Sequence, residues 1–101
     1  IHVIDLADAH VLALTRGKQG FFNLGNGDGY SVREVHQACE KVAGRKIPAV
    51  EKPRRAGDPP RLVASAEKAR RELDWNPKFP KLEQIVATAW DWHRRHPEGY
   101  R

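Results

Sequence analysis

Apolar residues recur at helical spacing in four stretches of the chain, most clearly between residues 31 and 43. There they form a single face of a helix, which consists of Val32, Val35, Ala38, Cys39 and Val42. Ser31 and Glu34 have the spacing of a capping box, and Gly44 is placed to end the helix. His36 falls off the apolar face, so we expect it to be solvated.

The other three stretches predict helices over residues 5–16, 65–73 and 82–95. Asp5 and Ser65 are the residue types expected at helix N-caps, and Pro97 follows the last helix as a stop signal. The first of these helices carries apolar residues on neighbouring faces from Leu6 to Leu14. Such a surface predicts close packing on more than one side.

Three short runs that are rich in β-branched or aromatic residues predict strands. They cover residues 1–4, 21–24 and 47–51, and Pro48 makes the third an edge strand. With about four helices, the pattern indicates a mixed α/β fold.

The composition is that of one globular domain in a reducing compartment. The 101 residues are 40% hydrophobic and 31% charged, and no apolar run approaches the length of a membrane span. The single cysteine, Cys39, cannot form an internal disulfide and predicts a cytoplasmic protein. As part of an apolar helix face, Cys39 is interpreted as a core residue and not as a nucleophile.

A net charge of +5 suggests an anionic partner. The positive residues alternate with acidic ones on helix surfaces, as Glu67 and Arg71 do, and most aromatic residues fall at core positions. This pattern argues against nucleic-acid binding, and a small basic nucleic-acid-binding module stays as an alternative.

The stretch from Pro53 to Pro60 predicts a loop whose residues fit a nucleoside diphosphate better than a bare phosphate. Its prolines exclude a helix or a central strand. Arg54 and Arg55 offer planar donors for phosphate, and Asp58 can accept hydrogen bonds from sugar hydroxyls. On the residues alone, a solvated basic turn, in which Asp58 neutralises an arginine or caps the next helix, is the favoured interpretation.

No catalytic or metal-binding group emerges from the residues. The glycine-rich run at residues 25–29 lacks the spacing of a dinucleotide or P-loop motif, so a turn is the better interpretation. The five histidines are scattered, and no grouping has the spacing of metal ligands.

Several motifs in order resemble the extended short-chain dehydrogenases/reductases. They are IHVIDLADAH at residues 1–10, FNLGNG at 22–27, PRRAGD at 53–58, ASAEKA at 64–69 and ELDWNP at 72–77. The tail at residues 90–100 points to a sugar-nucleotide epimerase within that family. The resemblance implies that residues 1–101 are a carboxyl-terminal, substrate-binding part with short, largely parallel strands.

The resemblance also implies an activity and site residues. The whole enzyme is expected to be an NAD-dependent isomerase of galactose and carbohydrate metabolism that interconverts UDP-glucose and UDP-galactose. Arg55 is expected to bind the diphosphate, Asp58 the uridine ribose, and Arg54 to add a supporting charge. An aromatic substrate contact of some epimerases corresponds here to Leu62, which departs from that pattern.

Other functional parts are expected outside these residues. The sequence has neither a GxxGxxG loop for NAD nor a YxxxK pair, so a missing amino-terminal part is expected to bind NAD and carry the catalytic residues. We therefore predict that the chain alone is inactive, that its apolar residues 6–14 are partly exposed, and that the whole enzyme is a homodimer. A related sugar-nucleotide decarboxylase or 4,6-dehydratase stays as an alternative.

Overall fold

The computed structural model describes residues 1–100 and contains four α-helices in this range. They are α1 (Val3–Thr15), α2 (Val32–Ala43), α3 (Glu67–Leu73) and α4 (Leu82–Arg95). The prediction of about four helices is confirmed. The longest has 14 residues, and none of the helices described is long and apolar enough to cross a membrane.

The chain divides into two compact units. The first, unit 1, consists of Ile1–Gly29 and Val63–Pro80 and contains α1 and α3. The second, unit 2, consists of Tyr30–Leu62 and the chain from Lys81, and contains α2 and α4. The predicted binding loop lies wholly within unit 2.

The predicted strands are wrong for the part of the chain that is described. Residues 3 and 4 open α1 instead of ending a strand, and residues 21–24 and 47–51 lie outside helices without forming a ladder. A strand needs the backbone of a neighbouring strand to satisfy its N–H and C=O groups. Residues 1–100 provide no such neighbour to these segments.

The core of unit 1 lies between α1 and α3. Ala9 from α1 packs with Ala69 and Leu73 from α3 and with Trp75, all of them buried. The Trp75 Nε1–H donates to the Asp5 backbone oxygen over 2.8 Å, so the one polar atom of this indole is satisfied. Phe22 and Leu24 cover the edge of the core.

Asp5 does not cap α1 as predicted. The N-cap is His2, whose Nδ1 accepts from the Ile4 N–H over 3.1 Å, and Asp5 is buried in the first turn. Its two carboxylate oxygens accept from the backbone N–H groups of Lys78 (2.7 Å) and Phe79 (3.1 Å). Asp5 therefore joins α1 to the end of a segment more than seventy residues away.

Helix α2 confirms the predicted helix of unit 2 and its two ends, although Val32 and Val35 of the predicted apolar face are exposed. Ser31 Oγ accepts from the Glu34 N–H over 3.1 Å, and Glu34 Oε2 accepts from the Ser31 N–H over 2.7 Å, which completes the capping box. Gly44 ends the helix in the left-handed region, with φ of 67°. The Ser31 contacts lower the pKa of the Glu34 carboxyl.

Helices α2 and α4 pack against each other. Ala38 is the only buried apolar residue among those described in unit 2, so the contact is small. An ion pair between Lys41 Nζ and Glu83 Oε1, 2.6 Å apart, joins the two helices at their exposed edges. Helix α3 of unit 1 begins later than predicted, because its N-cap is Ala66 and not Ser65.

Candidate functional site

The predicted binding loop is an exposed turn. The Asp58 N–H donates to the Arg55 backbone oxygen over 3.4 Å, which closes a four-residue turn with Gly57 in its third position. Gly57 has φ of 86°, a conformation that the third position of a type II turn requires and that glycine adopts freely. The turn therefore forms at residues 55–58 because Gly57 can adopt the positive φ that it requires.

The turn brings the three predicted site residues together around Asp58. Arg55 Nε donates to Asp58 Oδ2 over 3.0 Å, and Arg54 Nη2 donates to the Asp58 backbone oxygen over 2.5 Å. The Arg55 side chain is 85% exposed and that of Asp58 is 45% exposed. The arrangement contains two guanidinium groups and one carboxylate, so its net charge is positive.

The internal bonds leave most of each arginine available to a ligand. A guanidinium has five N–H donors in a planar fork, and the Nε–H of Arg55 donates to Asp58. Its terminal amino groups can therefore donate in pairs to phosphate oxygens. Asp58 Oδ1 can accept from a hydroxyl while Oδ2 stays with Arg55.

A second set of contacts holds the segment that leads into this loop. His36 Nε2 lies 2.8 Å from the Ile47 backbone oxygen, and Glu40 Oε1 accepts from the Ile47 N–H over 2.9 Å. The hydrogen bond from Ile47, with the nearby Lys46 ammonium, lowers the pKa of the Glu40 carboxyl. Further along, Arg33 forms an ion pair with Glu51.

The prediction that His36 is solvated is therefore wrong. His36 is half-buried because its ring contacts the backbone oxygen of Ile47. No local pattern indicated this contact, because Ile47 lies eleven residues further along the chain.

The glycine-rich run of unit 1 is a close-packed turn. A Cβ on Gly25 would lie 2.9 Å from the Ala64 backbone oxygen, and a Cβ on Gly29 would lie 2.6 Å from Val63 Cγ2. Gly25 and Gly29 thus allow residues 25–29 to lie against residues 63 and 64, whereas Gly27 has nothing within 4 Å. We interpret the run as a turn and derive no chemical step from it.

The described residues contain no candidate metal site. Residues 1–100 contain no group of three or more His, Cys, Asp or Glu side chains that could hold a metal ion. Cys39 is a free, half-buried thiol in α2.

Comparisons with known proteins point to one class of enzyme. No protein family profile matches the chain. UDP-glucose 4-epimerase from Halalkalibacterium halodurans is 55% identical over 99% of the chain, and that from Corynebacterium glutamicum is 56% identical over 89% of it. The chain spans about 31% and 28% of the length of these two relatives.

Solved structures give the same result. The chain matches the epimerase of Bifidobacterium longum, solved with NAD+ and UDP, with a TM-score of 0.87 and 41% identity over 99% of the chain. It matches that of Stenotrophomonas maltophila, solved with NAD and formylated UDP-arabinopyranose, with a TM-score of 0.86 and 40% identity over 96%. Each comparison covers 30% of the solved chain. In sequence and in fold, the chain resembles part of a UDP-glucose 4-epimerase, which confirms the resemblance to the extended short-chain dehydrogenases/reductases.

Proposed function

We propose that the chain is the UDP-sugar-binding part of an NAD-dependent UDP-glucose 4-epimerase. The observation that carries this proposal is the convergence of Arg54, Arg55 and Asp58 in one exposed turn. The match to an epimerase solved with UDP supports a uridine nucleotide as its ligand. The relatives reported above favour an epimerase over a decarboxylase or a 4,6-dehydratase.

In this proposal each residue of the turn has a distinct role. Arg55 donates through its terminal amino groups to the diphosphate, and Asp58 accepts hydrogen bonds from the ribose hydroxyls. Arg54 adds positive charge and holds the Asp58 backbone. A carboxylate beside two guanidinium groups distinguishes a nucleotide from a bare phosphate, because only the nucleotide presents hydroxyl donors to it.

The contribution to catalysis is binding and orientation. Interactions with the diphosphate and ribose hold the hexose in place for hydride transfer, although they lie away from the reacting carbon. NAD supplies the hydride chemistry, and we assign its binding and the catalytic residues to the part of the relatives' length that this chain does not span. We also propose that the whole enzyme is a cytoplasmic homodimer and that this chain alone is inactive.

The test is a calorimetric titration of the chain with UDP at low ionic strength. We expect weak but measurable binding that Arg55→Ala reduces by about tenfold, the loss of roughly 1.4 kcal/mol. Arg94→Ala is the matched control, because Arg94 is also exposed and also forms an i,i+3 ion pair, with Asp91. Equal weakening by the two changes would contradict the proposal, since it would indicate attraction to net charge alone.

The activity itself needs the whole enzyme. Product analysis with UDP-glucose is expected to yield UDP-galactose with no loss of carbon or water from the sugar. A decarboxylated or dehydrated product would replace the epimerase proposal by one of its alternatives.

A further inference from the structure

Three polar residues of α2 lie on one stripe of the helix and contact a single segment. Arg33, His36 and Glu40 are spaced at i, i+3 and i+7, which places them on one side of a helix. Their partners are Ile47 and Glu51, at the two ends of residues 47–51. We refer to Arg33, His36 and Glu40 as the α2 stripe.

Within residues 1–100, where this segment has no strand partner, the α2 stripe satisfies the backbone groups of Ile47. In a sheet, a neighbouring strand satisfies both the N–H and the C=O of a residue such as Ile47. Here Glu40 accepts from the N–H and His36 contacts the C=O, so side chains from one helix satisfy both groups. A half-buried backbone therefore keeps its hydrogen bonds without a ladder.

The fixed segment leads into the loop over a short and stiff connection. Only Lys52 and Pro53 separate Glu51 from Arg54. Proline fixes its own φ, and it restricts the preceding residue to extended conformations. Three residues of chain span at most about 11 Å, so the position of Glu51 limits where Arg54 can lie.

From these contacts we infer that the α2 stripe is a positioning device for the loop that carries Arg54, Arg55 and Asp58. The inference rests on the proposed function for its consequence in binding. Its structural part concerns only where the loop lies. None of the three stripe residues needs to touch a nucleotide, because each acts through the segment that it holds.

An alternative role would be stabilisation of α2 alone, and matched variants separate the two. Glu40→Ala removes the acceptor for the Ile47 N–H, whereas Glu40→Gln keeps an oxygen at the same position. Ser31→Ala weakens the same helix by breaking its capping box, at a site that does not contact residues 47–51. If Glu40 only stabilises α2, Glu40→Ala and Ser31→Ala are expected to have similar effects on the loop resonances and on UDP affinity.

The experiment measures loop position and UDP affinity in these variants of the chain. We expect Glu40→Ala to shift the backbone amide resonances of Gly57 and Asp58 and to weaken UDP binding roughly fivefold, which is the scale of one lost hydrogen bond. In Glu40→Gln, we expect the amide resonances and the UDP affinity to lie close to those of the parent chain. Ser31→Ala is expected to lower Tm and leave the loop resonances and the Kd unchanged.

Two results would overturn the inference. One is that Glu40→Ala leaves the Gly57 and Asp58 resonances at their parental positions, and the other is that Ser31→Ala shifts them equally. His36→Ala, which removes the ring nitrogen beside the Ile47 backbone oxygen, decides the same question if Glu40→Ala does not fold. If the parent chain does not bind UDP, the proposed function fails while the resonances still decide the positioning role.

Discussion

Arg55 and Asp58, the two residues with the main proposed ligand contacts, are hydrogen-bonded to each other, with Nε 3.0 Å from Oδ2. The pair is exposed, and such ion pairs contribute between about 0 and 1 kcal/mol, so it adds little to stability. Its effect is to hold the guanidinium of Arg55 beside the carboxylate of Asp58. Both side chains are thus held near one another before any ligand arrives, which lowers the entropy cost of binding.

The first prediction separates the roles of Arg55 and Asp58 by changing the ligand. Arg55→Ala is expected to weaken binding of both UDP and inorganic pyrophosphate, because it removes donors to phosphate. Asp58→Ala is expected to weaken UDP binding several-fold and to leave pyrophosphate binding unchanged or tighter, because it removes a negative charge beside the phosphates. Calorimetric titration with each ligand measures the difference. Equal loss of affinity for both ligands in Asp58→Ala would contradict a ribose contact.

A second prediction concerns Asp5, whose carboxylate accepts from two backbone N–H groups inside unit 1. Asp5→Ala leaves both donors without a partner, and we expect a loss of roughly 2 to 4 kcal/mol in the free energy of unfolding. Asp8→Ala is the control, since it removes only the ion pair with Lys78 at the surface. Urea denaturation followed by the fluorescence of the tryptophans compares the two. A loss in Asp5→Ala no larger than that in Asp8→Ala would show that the buried contacts are unimportant.

Glycine substitutions give a third prediction, for the turn at residues 25–29. Gly25→Ala places a Cβ against the Ala64 backbone, and we expect destabilisation of about 1 to 3 kcal/mol from overpacking. Gly27→Ala meets nothing within 4 Å and carries only the strain of its φ of 85°, which costs about 1 kcal/mol. Thermal unfolding is expected to rank Gly25→Ala below Gly27→Ala in Tm, and the reverse order would refute the close approach of these segments.

The fourth prediction is a pH dependence that arises from Glu40. Its pKa lies below the ordinary value of 4.5, mainly because its carboxylate accepts from the Ile47 N–H. The folded state therefore binds the proton less well than the unfolded state, so Glu40 stabilises the fold above its unfolded pKa. This stabilisation is lost as the pH falls through the lower, folded-state pKa.

The corresponding measurement is the free energy of unfolding as a function of pH. Glu40→Gln is expected to be less sensitive than the parent to acid below about pH 4.5, since glutamine does not titrate. Glu98→Gln, at an exposed position beyond α4, serves as the control. If the free energy of unfolding of Glu40→Gln falls with pH as much as that of the parent, the Glu40 carboxylate is not the source of the acid sensitivity.

The sequence by itself determined the features whose partners lie within a few residues. Helix α2 begins at Ser31 and ends at Gly44 as predicted, because a capping box and a left-handed glycine are local interactions. The turn at residues 55–58 was likewise predictable from Gly57 and the flanking prolines. The motifs likewise predicted the similarity to a sugar-nucleotide epimerase that the comparisons show.

Only the tertiary structure decided the features whose partners are distant in sequence. Asp5 is a residue type expected at a helix N-cap, but its carboxylate instead accepts hydrogen bonds from the N–H groups of Lys78 and Phe79. Residues 47–51 have the composition of a strand, but a strand forms only where another backbone lies alongside. Among residues 1–100 no strand does so, and α2 side chains contact both backbone groups of Ile47. The composition of a segment limits which secondary structures it can form. The neighbours that satisfy its backbone hydrogen bonds decide which of these structures it adopts.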